Sequence, residues 1–225
     1  CFPHLESGQA PACFHSCVGR IRYIGNVLYD ADKIRELATL PDEELVEAQR
    51  SMILDPHDPE VIAAAKANGV PDSIIKSAQQ SPTYKYVKQW KIALPLHVEY
   101  RTFPMLFYVP PLLPVMSSTQ GDVVKSDLDE LFADIEQARA PMEYLGKLFS
   151  GGNLGKLRYA LSKQLAVRIW RRHVTVGDIS EEKALAALNQ ADCTGEEADA
   201  IYKLSALSTF DDRFVVPPFQ REMAI

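Results

Sequence analysis

Cys1-Phe2-Pro3-His4, followed by Ala12-Cys13-Phe14-His15-Ser16-Cys17-Val18-Gly19-Arg20, places three of the chain's four cysteines in its opening stretch. The spacing is Cys-x11-Cys-x3-Cys. Three soft anions this close together require a cation between them, so the stretch reads as a metal or iron–sulfur ligand loop. His4 and His15 stand beside the thiols, and a tetrahedral zinc site drawn from Cys1, His4, Cys13 and Cys17 is open on spacing alone. Free thiols, or a disulfide between two of them, are the plain alternative. The Cys-x3-Cys end favours iron–sulfur. In two-cluster ferredoxins the cysteine after x3 ligates the other cluster, which assigns Cys13 to one centre and Cys17 to a second. Neither centre is completed by these residues, so the chain reads as part of a longer polypeptide.

Working outward, the chain has 225 residues, 47% of them hydrophobic and 24% charged, which is ordinary for a folded protein with a sizeable core. With 24 basic and 30 acidic residues the formal charge is −6, and nothing global points to nucleic acid. Four cysteines, three of them clustered, do not form the framework of a disulfide-rich secreted domain. The long uncharged run 102–121 carries Pro104, Pro110, Pro111 and Pro114, too many lost backbone donors for a lipid-facing helix. No transmembrane span is expected.

Residues 20–29 form a β-branched and aromatic run interrupted by Gly25-Asn26, predicting one strand or two around a tight turn. Helical spacing follows over 33–40, 43–54, 60–68, 72–80 and 82–90, with prolines at several starts. Residues 94–115 read as an extended, proline-rich segment that wraps over another surface, with 105–109 its strand candidate. Residues 118–125 read as a polar linker. Helices are predicted over 127–138, 141–149, 154–173, 181–190 and 195–207, and the tail 210–218 as extended docking chain.

The longest helix carries Lys156, Arg158, Lys163, Arg168, Arg171 and Arg172 without an acid. The stretch that follows carries Asp178, Glu181, Glu182, Asp192, Glu196, Glu197 and Asp199 around Lys183. A solvated basic face balanced by those acids is favoured over an anionic membrane surface. Asp55-Pro56-His57-Asp58-Pro59 reads as a helix cap rather than a metal or acid–base site. His97, His173 and Cys193 read as structural. No P-loop, nucleophile elbow or paired-carboxylate site occurs, so no independent active site is expected.

Several stretches together resemble the beta, iron–sulfur subunit of membrane-bound respiratory nitrate reductases and the related nitrite oxidoreductases. They are 6–9, 17–23, 28–32, 54–56, 93–102, 108–112 and 212–217, among them Cys17-Val18-Gly19-Arg20-Ile21-Arg22-Tyr23 and Asp212-Arg213-Phe214-Val215-Val216-Pro217. The resemblance implies an α+β fold: a ferredoxin-like cluster-binding segment at the N-terminal edge (1–29), a helical and extended wrapping region (30–116), and a helical C-terminal region (117–225). It implies electron relay between a molybdenum-bearing catalytic alpha subunit and a haem b membrane gamma subunit, in nitrate reduction or nitrite oxidation. The complex would be membrane-associated through those partners, on the cytoplasmic or the opposite face. Cys1 and Cys13 would share one [4Fe-4S] cluster and Cys17 would serve another, with a [3Fe-4S] centre held upstream of Cys1. Arg20 and Arg22 would tune the potentials, since cations beside an anionic cluster favour its reduced state. The sequence departs from the family at Phe2-Pro3-His4 and Phe14-His15-Ser16, none of which is a ligand.

Overall fold

The computed structural model describes residues 3–4, 7–102, 104, 106–112, 118–120, 123–125, 135–137 and 140–215. It is an α+β protein in which helices predominate and two of three small sheets tie distant parts of the chain together. A short helix α1 (Ala12–His15) leads into β1 (Arg22–Gly25) and β2 (Leu28–Tyr29). These two strands do not form a hairpin. β1 pairs antiparallel with β4 (Leu106–Tyr108) and parallel with β7 (Phe214–Val215), giving the order β4-β1-β7. β2 pairs instead with β3 (Ile53–Leu54). Gly25 serves close approach rather than a turn, because a Cβ there would lie 1.7 Å from Ser81 Oγ.

The predicted helix over 43–54 ends early. α3 (Leu45–Met52) follows α2 (Ile34–Leu37), and Ile53-Leu54 turns into strand. Two bulky residues entering Asp55-Pro56 find an extended conformation and a partner in β2. α4 (Pro59–Ala67) and α5 (Asp72–Gln80) stand where their caps place them, Asp58 accepting from the Glu60 amide at 2.8 Å. The helix expected over 82–90 is a single wide π-turn at Lys85–Gln89, closed by the Trp90 amide on the Lys85 carbonyl at 2.7 Å. Tyr86, Val87 and Trp90 are all buried from that turn.

The described part of the proline-rich segment sends Leu94, Phe107 and Leu112 into the core, each at most 3% exposed, while Tyr100 is 72% exposed; Leu94 bridges to Tyr108. The stretch expected as a linker contains an antiparallel pair, β5 (Ser118–Gln120) with β6 (Val123–Lys125). The helix expected over 127–138 lies outside the described residues except for a 3-10 turn at Ile135–Gln137.

The remaining helices match their sequence periodicity: α6 (Met142–Ser150), α7 (Leu154–Thr175), α8 (Glu181–Gln190) and α9 (Gly195–Ala206). Asn153, Ser180 and Thr194 each accept an amide of the first turn of the helix that follows. α7 is the central element and packs against α6, α8 and α9. One apolar cluster joins Tyr23, Ile53, Tyr86 and Phe107 to Val167, Leu188 and Ile201. A second joins Leu45 and Leu94 to Leu145, Leu157 and Leu161. Regions 1–29, 30–116 and 117–225 therefore contribute side chains to shared cores.

The basic face of α7 is neutralised within the chain. Lys163 pairs with Glu197 at 2.8 Å, Arg171 with Asp199 at 3.0 Å, Arg172 with Asp178, Arg158 with Glu136 and Lys156 with Glu47. Among the described residues no helix is long and apolar enough to cross a membrane.

Candidate iron–sulfur ligand turn

Pro11 precedes α1 with extended backbone, and the helix lasts one turn before Ser16. Cys13 lies inside α1 and Cys17 just beyond it, with the Cys17 amide donating to the Phe14 carbonyl at 3.2 Å. Both thiols are free and half-buried. Between Cys17 and Gly19, Val18 is 98% exposed and forms an apolar tip. Arg20 then reverses the chain with a left-handed φ of 52° and leads into β1.

An aromatic bed anchors the turn. Phe14 is fully buried, edge-on to Phe210 at 5.4 Å and tilted against Phe214 at 5.6 Å. His15 stacks on Phe210 at 5.0 Å. The tail that supplies this bed is not wholly extended as expected. Thr209 and Asp212 form a capping box around a one-turn helix α10 (Phe210–Arg213), after which β7 joins β1. The Thr209-x-x-Asp212 spacing is the local signal that sequence reasoning passed over. Residues 216–218 of the expected docking tail lie outside the described residues.

The two arginines expected to tune a cluster have distinct positions. Arg22 donates from Nη1 to the Cys13 carbonyl and lies 5.7 Å from the Tyr108 ring. Its Nε is buried with no hydrogen-bond partner. Burial pushes the Tyr108 phenol up, and the Arg22 guanidinium opposes that shift. Arg20, by contrast, is spent on the end of α9: its Nη1 donates to the carbonyls of Ala206 at 3.1 Å and Ser208 at 3.2 Å.

Cys1 lies outside the described residues. His4 is exposed and His15 is engaged in its stack, and no group of three His, Cys, Asp or Glu side chains is poised for a metal ion among the described residues. The zinc alternative gains no support. The donor set suits a thiolate-ligated, anionic group: two free thiols in one turn, with an unpartnered buried guanidinium nitrogen on the arginine that holds Cys13.

The other candidates are structural. Asp55 accepts the His57 amide at 2.9 Å and Asp58 caps α4. His97 faces Glu99 at 2.8 Å, and His173 Nδ1 lies 2.8 Å from the Ile179 carbonyl. Cys193 is buried in the first apolar cluster, and burial, with Glu197 nearby, pushes its thiol up to about 11. At pH 8 only about one in a thousand of such thiols is ionised. Iodoacetamide should therefore modify Cys13 and Cys17 of the cofactor-free protein well before Cys193. Peptide mass mapping over a time course checks the order, and equal rates would show that Cys193 is not enclosed.

A family model described as "Respiratory nitrate reductase beta C-terminal" matches residues 112–192. The chain is 42% identical over 223 residues to the nitrate reductase beta chain of Bacillus subtilis (strain 168), covering 99% of this chain and 45% of that one. It is 42% identical over 226 residues to the respiratory nitrate reductase 2 beta chain of Escherichia coli (strain K12), covering 100% and 43%. Against the respiratory nitrate reductase beta chain of a Bradyrhizobium species it is 33% identical over 227 residues, covering 100% and 66%. The chain thus spans less than half the length of the first two relatives. It belongs to the respiratory nitrate reductase beta-chain family.

Proposed function

We propose that this chain is part of an electron-transfer subunit in which Cys1 and Cys13 share one [4Fe-4S] cluster and Cys17 ligates a second. Residues 1–29 form the end of a ferredoxin-type domain, and residues 30–116 and 117–225 form the wrapping and helical regions packed on it. Remaining ligands, and a [3Fe-4S] centre, belong to sequence before Cys1. The observation that carries the reading is the pair of free, half-buried thiols at Cys13 and Cys17 in a single anchored turn.

When bound, the clusters supply one-electron transfer without making or breaking bonds in a substrate. The chain's own residues do three things. The Phe14–Phe210–Phe214 bed fixes the turn, and the buried rings of Phe14 and Phe214 keep water from beneath it. Arg22 holds the Cys13 carbonyl and places positive charge beside it, which favours the reduced state of an anionic neighbour. The half-buried setting of both thiols lowers the solvent access that would otherwise influence potential.

Electrons pass through this subunit between a molybdenum-bearing alpha subunit, where nitrate is reduced or nitrite oxidised, and a haem b gamma subunit that holds the complex at the cytoplasmic face of the membrane. The test is metal and sulfide analysis with electron paramagnetic resonance on the full-length protein. Iron and acid-labile sulfide are expected, with Cys13→Ala and Cys17→Ala each removing a different cluster signal. Zinc without sulfide, or every cluster signal surviving both substitutions, would sink the reading.

A further inference from the structure

Arg213 is a buried cation whose hydrogen-bonding capacity is not filled inside the chain. It closes α10 at 8% exposure, and its Nε and Nη1 are both enclosed without a hydrogen-bond partner. Among the described residues no other side chain leaves two nitrogens in that condition. Its near neighbour Asp212 is committed to Thr209 through the capping box. The guanidinium lies over the Phe14 ring at 4.9 Å, which offsets part of the desolvation but satisfies no N–H. A buried charge of this kind persists where a counter-charge faces it.

The position of Arg213 indicates which counter-charge that is. Phe14, beneath the guanidinium, follows Cys13 directly, and its carbonyl accepts the Cys17 amide at 3.2 Å. Tyr23 feels the charges around the turn together: burial pushes its phenol up, the bond to Tyr86 and the cations Arg213 and Arg20 draw it down, and Cys17 adds to the rise. Arg22 is already joined to Cys13, and Arg20 is turned to the end of α9. That leaves Arg213, lying over the ring of Phe14 between Cys13 and Cys17 in the chain, as the buried cation beside the turn with two unpartnered nitrogens.

We propose that Arg213 is a positioning residue that supplies the buried positive charge for the cluster ligated by Cys17 and raises its reduction potential. The inference rests on the cluster reading above. One electron arrives from a neighbouring one-electron centre of the relay and adds one negative charge beside the guanidinium. Arg213 itself changes neither proton nor bond, and the electron leaves for the next centre.

The test is a potentiometric titration followed by electron paramagnetic resonance on the full-length protein, comparing Arg213→Gln with Arg213→Lys. The signal to follow is the one that Cys17→Ala removes. Arg213→Gln should lower that midpoint so that, at the wild-type midpoint potential, the reduced-to-oxidised ratio falls about tenfold, a shift of about 59 mV for one electron. Arg213→Lys should recover most of it, and the signal removed by Cys13→Ala should move less. Loss of the Cys17-dependent cluster in the Gln variant with retention in the Lys variant supports the same role. An unchanged midpoint in Arg213→Gln, an equal shift in Arg213→Lys, or loss of the cluster in both would overturn it. Absence of any iron–sulfur signal from the unsubstituted protein would instead refute the cluster reading, and the wild-type control separates that outcome from the others.

Discussion

Glu197→Ala is expected to destabilise the chain by about 3–5 kcal/mol, read as a fall in the urea midpoint with the slope unchanged. Lys163 sits on α7 with its side chain only 3% exposed, and its ammonium meets Glu197 Oε1 on α9 at 2.8 Å. The Tyr159 hydroxyl, 3.2 Å from Nζ, is its other partner. Burial works against the ammonium, but the bonds to Glu197 and Tyr159 outweigh it and lift the Lys163 pKa above its usual value. The sign follows from that lift. The contribution is fully present below the unfolded lysine pKa of about 10.4 and is lost as pH rises through the folded value. Removing Glu197 leaves a buried cation against the central helix, which is the costly case. Removing both charges is different, and the Lys163→Met/Glu197→Leu double variant should regain most of the loss. A double variant as unstable as Glu197→Ala would show that packing between α7 and α9, rather than charge, governs the site.

That pair also shows where sequence reading stops. A basic helix followed by acidic ones is visible in the order of residues, and so is the conclusion that the charges cancel. Which acid meets which base is not visible, although Lys163 falls at helical spacing from the buried Ala160, Ala166 and Val167. The helices with local signals are legible in position: Asp58, Asn153, Ser180 and Thr194 each cap the helix that follows. The sheet is not, because β1 takes its partners from Leu106–Tyr108 and Phe214–Val215, and pairing at that separation leaves no local mark. For the same reason the cysteine spacing identifies the ligand turn but not its floor. Arg213, Phe210 and Phe214 come from the far end of the chain, and only the fold brings them beneath Phe14.

Phe14→Ala should cost about 3–5 kcal/mol, as expected for truncating a fully enclosed phenylalanine whose neighbours cannot collapse into the space. The neighbours are fixed from several directions: β7 is hydrogen-bonded to β1, α10 is locked by its capping box, and Arg213 lies over the ring. The cavity is therefore expected to persist, and Phe14→Leu, which refills part of it, should cost clearly less. The consequence for the site differs from that of Glu197→Ala. α1 is a single turn, too short to hold itself without packing, so loss of the ring frees the segment that carries both thiols. In the cofactor-free protein the alkylation rates of Cys13 and Cys17 should rise severalfold in Phe14→Ala, while that of Cys193, enclosed in the first apolar cluster, stays at its wild-type value. A lowered urea midpoint with unchanged rates at Cys13 and Cys17 would mean that something other than the aromatic bed orders the turn. If the rates rise as expected, the far C-terminal segment acts on the ligand turn through one ring, and truncating that ring should also weaken retention of the cluster that Cys17 ligates.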